Sequence, residues 1–430
     1  MPGLGALPFG MRVERALSTA VGWASRVHLP FRRPARRTLI VRSTSLGDFA
    51  VFLPFLASVQ QLVGDDEVDL LTISRTGDIA SRVLHPSSRT CAVIDPRDGA
   101  SLRSTIQLAR QRLRGRAYDR VFFATQNSDA PSGQLRKLAM IRAVVGPGPK
   151  IIGMGRNVAV RTRNELMAAD GIAENQATTP FLACQLHPLA ARDRVQALVS
   201  RPDSDGVARA WAAVGIPAED TQRSLIAFYV HAKDERKRWP LDRFVAAATE
   251  VLDQIPGSML LFVGGPEDVD ASCHVAEQIA ATAGPDRVRV VAGRLDLPLL
   301  FMLLGRCRLF VGNDGAPVHY AALAGCRVVS IFCNWESAGL WEPVAAPAST
   351  SIRPASDSRG PTGYGIMDIP VDEVVSAALT LWASAEEGHR IVVAKNGRRV
   401  AEHKLVASPL RSDSEAAIWN ASTALENPPQ

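Results

Sequence analysis

The sequence predicts an α/β protein built from two doubly wound, Rossmann-like domains. Three observations lead there. Short β-branched runs alternate with helical stretches through both halves, the signature of βα units on a parallel sheet. A polar run, Arg201-Pro202-Asp203-Ser204-Asp205-Gly206, interrupts that alternation near the middle of the 430 residues and reads as the start of a linker. The chemically interesting residues follow strands, as they do in open α/β sheets, where ligands gather beyond the carboxyl ends. The expected layout is a leader over residues 1–37, domains over 38–200 and 224–383 with a linker at 201–223, and an extension over 384–430.

Composition narrows the class. The balance of apolar and charged residues is that of a soluble globular chain, and no apolar run reaches the roughly 20 residues of a membrane span. The six cysteines are scattered without a CxxC pair and lie mostly in apolar runs, which points to small hydrophobes rather than disulfides or a zinc site. The formal net charge of +6 is the surplus of seven arginines over Glu14 within residues 1–37, so the rest of the chain is formally neutral and no nucleic-acid partner is implied. Within that leader, residues 12–27 can form an amphipathic helix, followed by Arg32-Arg33-Pro34-Ala35-Arg36-Arg37. Such a segment suits an anionic membrane surface, with a loose tail as the alternative; it lacks the form of a secretory signal.

In the first half, Thr38–Arg42 reads as a buried strand leading through Ser45-Leu46-Gly47-Asp48 into an apolar helix. Asp48 thus stands at the functional edge of a sheet, either as a chemical group or as a cap or first-turn acid of its helix. Strands are expected at Val68–Ile73, Arg120–Ala124 and Lys150–Gly153, and helices at Arg103–Arg114 and Gln134–Val145. Arg75, Arg136 and Lys137 lie near strand ends or turns, placed for an anionic acceptor or for a solvated surface.

The second half opens with a strand at Ser224–Val230, then Lys237-Arg238-Trp239-Pro240, with Pro240 starting a helix towards Gln254. Met259–Val263 is a strand ending in Gly264-Gly265-Pro266-Glu267-Asp268; Val288–Val291 is another, and Leu297–Gly305 a helix. The stretch Leu309–His319 carries the strongest chemical signal. It reads as a strand to Val311, a turn, and a helix opening with Pro317, with Asp314 as N-cap and the small residues Gly315 and Ala316 leaving room for an anion at the helix N-terminus. Simple capping is the alternative. Val328–Phe332 is a further strand, and Asn396-Gly397 has the composition of a two-residue hairpin turn.

These segments resemble the family-9 glycosyltransferases, typified by ADP-heptose:lipopolysaccharide heptosyltransferases. The resemblance rests on Ser45-Leu46-Gly47-Asp48, Lys237-Arg238-Trp239-Pro240, Gly264-Gly265-Pro266-Glu267, and Gly312-Asn313-Asp314 with His319, in that order over about residues 38–380. It implies a GT-B architecture, two Rossmann-like domains facing across a cleft, with a nucleotide-sugar donor on the C-terminal domain and the acceptor on the N-terminal one. Asp48 would be the general base that takes the acceptor hydroxyl's proton in an inverting attack. Lys237, Asp314, Gly315, Ala316 and His319 would hold the donor, Lys237 on the diphosphate and Glu267 on the ribose; Arg75, Arg136 and Lys137 would meet the acceptor. No DxD pair stands at these turns, so the implied chemistry needs neither metal nor other cofactor. The chain departs from the family pattern at Gly315-Ala316, where Thr-Gly is usual, at Tyr229-Val230-His231-Ala232-Lys233, where a polar Gly-bearing turn is usual, and at Cys333-Asn334-Trp335 after Phe332, where Gly-Pro-Thr is usual.

The expected activity, as the resemblance implies it, is transfer of heptose or a related sugar from an ADP-linked donor to a lipopolysaccharide-type glycan or glycolipid. The expected place is the cytoplasmic face of the bacterial inner membrane, peripherally bound. A nucleotide-sugar epimerase or a non-catalytic member of the same architecture are the rival readings.

Overall fold

The computed structural model of the chain describes residues 37–42, 45–63, 68–73, 76–77, 79–80, 84, 88–93, 101–123, 131–154, 204–217, 223–333, 341–343, 345–354, 365–384, 390–395 and 398–404. The leader up to residue 36 and Arg75 lie outside the described residues. The described elements fall into two compact units, one within Met1–Val195 and the other within Gln196–Pro409.

The first unit contains β1 (Thr38–Val41), α1 (Leu46–Val63), β2 (Val68–Ile73), β3 (Thr90–Val93), α2 (Leu102–Arg112), β4 (Arg120–Phe123), α3 (Pro131–Val145) and β5 (Lys150–Ile152). Its sheet has the order β3-β2-β1-β4-β5 and every pairing is parallel. The central strand β1 is buried along its whole length, as a parallel strand between two helical layers must be. Helix α1 buries residues well beyond one stripe, including Phe49, Phe52, Leu53, Phe55 and Leu56, so it is a core helix rather than a surface one. Its aromatic rings step along the helix at 5.4 and 5.8 Å and reach Phe122 of β4 at 6.2 Å.

The amino-terminal edge of this sheet is locked by Asp69, which is fully buried near the start of β2. Its carboxylate accepts from the Arg89 amide at 2.6 Å and the Tyr118 hydroxyl at 2.8 Å, with the guanidinium groups of Arg37 and Arg116 at 3.8 and 3.7 Å. Burial, with the Asp69 charge beside it, pushes the Tyr118 phenol well above its ordinary range. The opposite, carboxyl-terminal edge is where Asp48 stands.

The second unit contains α4 (Ser204–Val214), β6 (Ser224–Tyr229), α5 (Leu241–Gln254), β7 (Ser258–Phe262), α6 (Val269–Ala283), β8 (Val288–Val290), α7 (Leu297–Leu304), β9 (Cys307–Asn313), α8 (Ala316–Ala324), β10 (Arg327–Ile331), β11 (Ala348–Arg353), α9 (Val371–Ala383), β12 (Arg390–Lys395) and β13 (Arg398–Lys404). Six parallel strands follow the order β8-β7-β6-β9-β10-β11, which is the doubly wound order of a dinucleotide-binding fold. Beyond β11, β12 adds in parallel and β13 returns antiparallel to it. Helix α5 shows how sequence spacing builds the core. Phe244, Ala247, Ala248, Val251 and Leu252 recur at helical intervals, and all five are buried in the cluster that also holds Trp239, Phe262, Val275 and Leu381.

Within the polar run at Arg201–Gly206, α4 begins at Ser204. Ser204 and Asp205 are residues that helix N-termini favour, and the apolar Ala210, Trp211 and Val214 that follow are buried, so packing extends the helix into the polar run. Among the described residues, no helix is long and apolar enough to cross a membrane.

Candidate functional site

In a doubly wound sheet the ligand crevice opens where the strand order reverses, outside the carboxyl ends. In the second unit that point lies between β6 and β9. Both strands end in segments that the sequence marked.

The segment after β6 is braced on itself. The Asp234 carboxylate accepts from the Arg236 amide at 3.0 Å and from its guanidinium at 2.6 Å, capping a single 3-10 turn over Glu235–Lys237. The Arg236 guanidinium beside it holds the Asp234 carboxyl down at about 2. Arg238 Nε donates to the Ala232 carbonyl at 2.7 Å. The fully buried Trp239 then anchors the loop to the core, edge-on to Phe244 at 4.9 Å, with its indole N–H donating to the Ile369 carbonyl at 3.0 Å.

Asn313 ties this loop to β9. It is fully buried, its Oδ1 accepts the Trp239 amide N–H at 3.1 Å, and its Nδ2 donates to the carbonyls of Val230 at 3.1 Å and His231 at 3.4 Å. With the loop held at both ends, Lys237 Nζ reaches Asp314 Oδ2 at 2.6 Å. The Asp314 side chain is 7% exposed and that of Lys237 25%. The carboxylate is therefore buried and the ammonium partly exposed at the edge of the switch point.

Asp314 is not the N-cap that the sequence suggested. Strand β9 runs on through Gly312 and Asn313, which pair with Tyr229 and Ile331, and α8 starts at Ala316 with Gly315 as its cap and no side-chain bond there. The Asp314 carboxylate is taken by Lys237 instead. Pro317 sits in the first turn, where its missing N–H costs nothing.

Tyr229 explains both glycines of this turn. A Cβ on Gly312 would lie 2.8 Å from the Tyr229 Cβ and carbonyl oxygen, and one on Gly315 would lie 2.7 Å from Tyr229 Cε1. The φ of Gly315 is −173°, ordinary extended backbone, so space rather than conformation demands glycine there. The phenol ring therefore lies against the cap of α8, over the small residues that the sequence read as open to an anion. Burial pushes its phenol pKa far up, reinforced by the charges of Asp268, Glu267 and Asp314.

The turn after β7 completes the edge. Asp268 Oδ2 accepts the Gly265 amide N–H at 2.7 Å, and its Oδ1 meets His231 Nδ1. A Cβ on Gly264 would collide with the Asp268 side chain, and one on Gly265 would lie 2.7 Å from the Glu267 carboxylate. The glycines thus let two acidic side chains fold over the turn. Burial holds the Asp268 carboxyl above its ordinary range, with the Gly265 amide and His231 pulling the other way.

The other marked residues are placed as follows. His319 lies in α8, 4% exposed, with its ring 6.1 Å from that of Trp341. Ala316 is the first residue of α8, and Glu267 is exposed. In the first unit, Asp48 is half-buried in the first turn of α1, where Ser45 rather than Asp48 is positioned as the cap, its Oγ 3.4 Å from the Asp48 amide. Arg42 donates to the Asp48 carbonyl at 3.3 Å, bracing that turn. Arg136 is exposed on α3, and the Lys137 ammonium stands 5.4 Å from the ring centre of Phe123, the last residue of β4. Asp48 and Lys137 therefore both belong to the segments flanking the β1/β4 switch point.

The structure brings Lys237, Asp314, Gly315 and Ala316 together, with the Glu267 turn on the same sheet edge. It adds Asn313, Tyr229, His231, Asp268 and Arg42, to which sequence reasoning gave no site role. A buried asparagine ending an apolar strand was the available signal for Asn313; nothing local marked the His231–Asp268 contact.

Two Rossmann-like units on parallel sheets give the chain the GT-B fold class. Residues 160–356, a little under half of the chain, match the model for Glycosyltransferase family 9 (heptosyltransferase), so this part of the chain is similar to that family. It is 26% identical to lipopolysaccharide heptosyltransferase 3 of Escherichia coli over 138 residues, which span 31% of this chain and 40% of that relative. Its fold is similar to that of a family-9 glycosyl transferase from Veillonella parvula, with TM-score 0.59 and 18% identity over 84% of this chain and 100% of the other. It is also similar to E. coli ADP-heptose lps heptosyltransferase II, with TM-score 0.55 and 17% identity over 80% and 98%. An E. coli heptosyltransferase solved with ADP gives TM-score 0.51 and 17% identity over 80% and 99%.

Proposed function

We propose that the chain is an inverting, metal-independent glycosyltransferase that moves heptose or a related sugar from an ADP-linked donor to a lipopolysaccharide-type acceptor. The observation that carries the donor half is the Lys237–Asp314 pair at the β6/β9 switch point, beside the first turn of α8. A lysine there is a fixed cation for a diphosphate leaving group, and preorganised charge of this kind is usually the largest contribution to such a reaction. The family match and the ADP in a structurally similar heptosyltransferase support the choice of nucleotide.

Asp48 is the proposed base. It follows the central strand of the first unit, its turn is braced by Arg42, and a half-buried carboxylate can take the hydroxyl proton as the new bond forms. Lys137 and Arg136 are proposed to meet an anionic acceptor, and the arginine-rich leader to hold the enzyme peripherally at the cytoplasmic membrane face.

The test is a panel of ADP-, UDP- and GDP-linked sugars watched by thermal shift, since a ligand bound only by the folded chain raises its midpoint. ADP-heptose should raise it most, and transfer to a lipopolysaccharide-core acceptor should disappear in Asp48→Asn while the shift remains. A chain that none of the three nucleotides stabilises, or an Asp48→Asn variant with full turnover, would sink the corresponding half. Removal of residues 1–35 should reduce sedimentation with anionic liposomes at low salt; equal sedimentation removes the membrane assignment.

A further inference from the structure

Tyr229 ends β6 at the switch point, and its ring reaches past the end of β9 to the start of the next helix. That reach is fixed at both ends. At the strand, Tyr229 pairs with Gly312, so closely that a Cβ on the glycine would lie 2.8 Å from the Tyr229 Cβ. At the far end, a Cβ on Gly315 would lie 2.7 Å from Cε1, 3.3 Å from the hydroxyl oxygen and 3.4 Å from Cζ. The hydroxyl is therefore aimed at the residue that caps α8.

The cap leaves room for what this hydroxyl can offer. No side chain bonds into it, and the first amides of an α-helix have no partner within the helix. Gly315, Ala316 and Pro317 are partly exposed, so the cap is reached from solvent. The positive end of the helix favours an anion there. With Lys237 already paired to Asp314 at 2.6 Å, such an anion gains further from uncharged donors at the cap, which are the helix amides and the phenol.

Tyr229 itself is 6% exposed, and its hydroxyl has no hydrogen-bond partner among the described residues. Phenylalanine would serve if the ring were there only to pack on two glycines, and a buried hydroxyl without a partner is unfavourable until something completes it. Burial above all, with the charges of Asp268, Glu267 and Asp314 acting against that of Arg238, keeps the phenol protonated. The group is accordingly a hydrogen-bond donor, and the oxygens of a phosphate are acceptors.

We propose that Tyr229 is a further donor-binding residue, whose hydroxyl gives a hydrogen bond to a phosphate oxygen of the nucleotide seated at the N-terminus of α8. This rests on the reading of the edge as a donor site. The phosphates are common to all nucleoside diphosphates, so the contact adds affinity without selecting the base.

The experiment is titration calorimetry of the full chain and of Tyr229→Phe with ADP, UDP and GDP. The variant keeps the ring against Gly312 and Gly315 and removes only the hydroxyl, so its unfolding midpoint should stay close to that of the intact chain. For each nucleotide that the intact chain binds, the affinity of Tyr229→Phe should fall by the same factor, about tenfold, the scale of one lost hydrogen bond to a charged group. Equal affinities in the two proteins overturn the inference and leave the donor site standing, with the ring as packing alone. A fall that differs between the bases also overturns it, because the hydroxyl then serves the nucleoside. No binding of any of the three nucleotides to the intact chain overturns the donor site and the inference together.

Discussion

The Trp239 amide N–H donates to the Asn313 side-chain oxygen at 3.1 Å, joining the segment that carries Lys237 to the strand that delivers Asp314. The same asparagine donates back to Val230 at 3.1 Å, so one buried side chain closes both ends of the loop. Asn313→Ala strands a buried donor and a buried acceptor. At roughly 1–3 kcal/mol for each buried group left without a partner, the variant should lose about 2–6 kcal/mol in urea unfolding. A loss below about 0.5 kcal/mol would show that the loop holds itself.

Lys237→Met removes the ammonium at the switch point. Because the Asp314 carboxylate it leaves behind is only 7% exposed, stability should fall by roughly 1–3 kcal/mol. Nucleoside diphosphate affinity should fall at least tenfold, about 1.4 kcal/mol by calorimetry. Asp314→Asn keeps the cation and should cost much less. The reverse ranking would mean that the carboxylate, not the lysine, is the ligand's main contact.

Gly315→Ala drives a methyl into the Tyr229 ring, which costs about 1–3 kcal/mol where the neighbours cannot give way. The Tyr229→Ala background removes the obstacle, so the two changes should couple strongly in a double-mutant cycle. Additive effects would mean that the ring is not what excludes a side chain.

Burial pushes the Cys333 thiol up to about 11, in an environment that includes the Lys237 and Asp314 charges. A thiol of an unfolded chain titrates near 8.5, so the folded state holds this proton more tightly. Its contribution to stability is complete below pH 8.5 and is lost as pH rises through about 11, at a rate on the order of 1 kcal/mol per pH unit. Urea midpoints at pH 8 and pH 10 should fall more steeply for the intact chain than for Cys333→Ala. Parallel falls would place the titrating group elsewhere.

The alternation of strands and helices was legible because patterning specifies it directly. Val68–Ile73 appears as expected, and Ser224–Val230 and Met259–Val263 appear within a residue or two at either end. Lys237 and Asp314 were visible as members of motifs. What escaped was decided by tertiary contacts. Gly312 and Asn313 look like turn residues, yet pairing with Tyr229 and Ile331 keeps them in β9, and that shift of two residues takes Asp314 away from the cap. Ser204 and Asp205 look like linker, yet buried Trp211 and Val214 draw them into a helix. The His231–Asp268 contact joins two loops that only the order of strands makes neighbours.

The second sheet does not stop at its last doubly wound strand. Arg390–Lys395 lies alongside Ala348–Arg353 in parallel, and Arg398–Lys404 then turns back to form the rim. The outermost ribbon reads Arg-Arg-Val-Ala-Glu-His-Lys, a charge-rich composition of the kind that discourages sheets from joining edge to edge. Residues 390–395 and 398–404 are therefore part of the framework, and a shortened chain ending at Ala383 would leave the amide and carbonyl groups on one side of Ala348–Arg353 bare, an invitation to self-association.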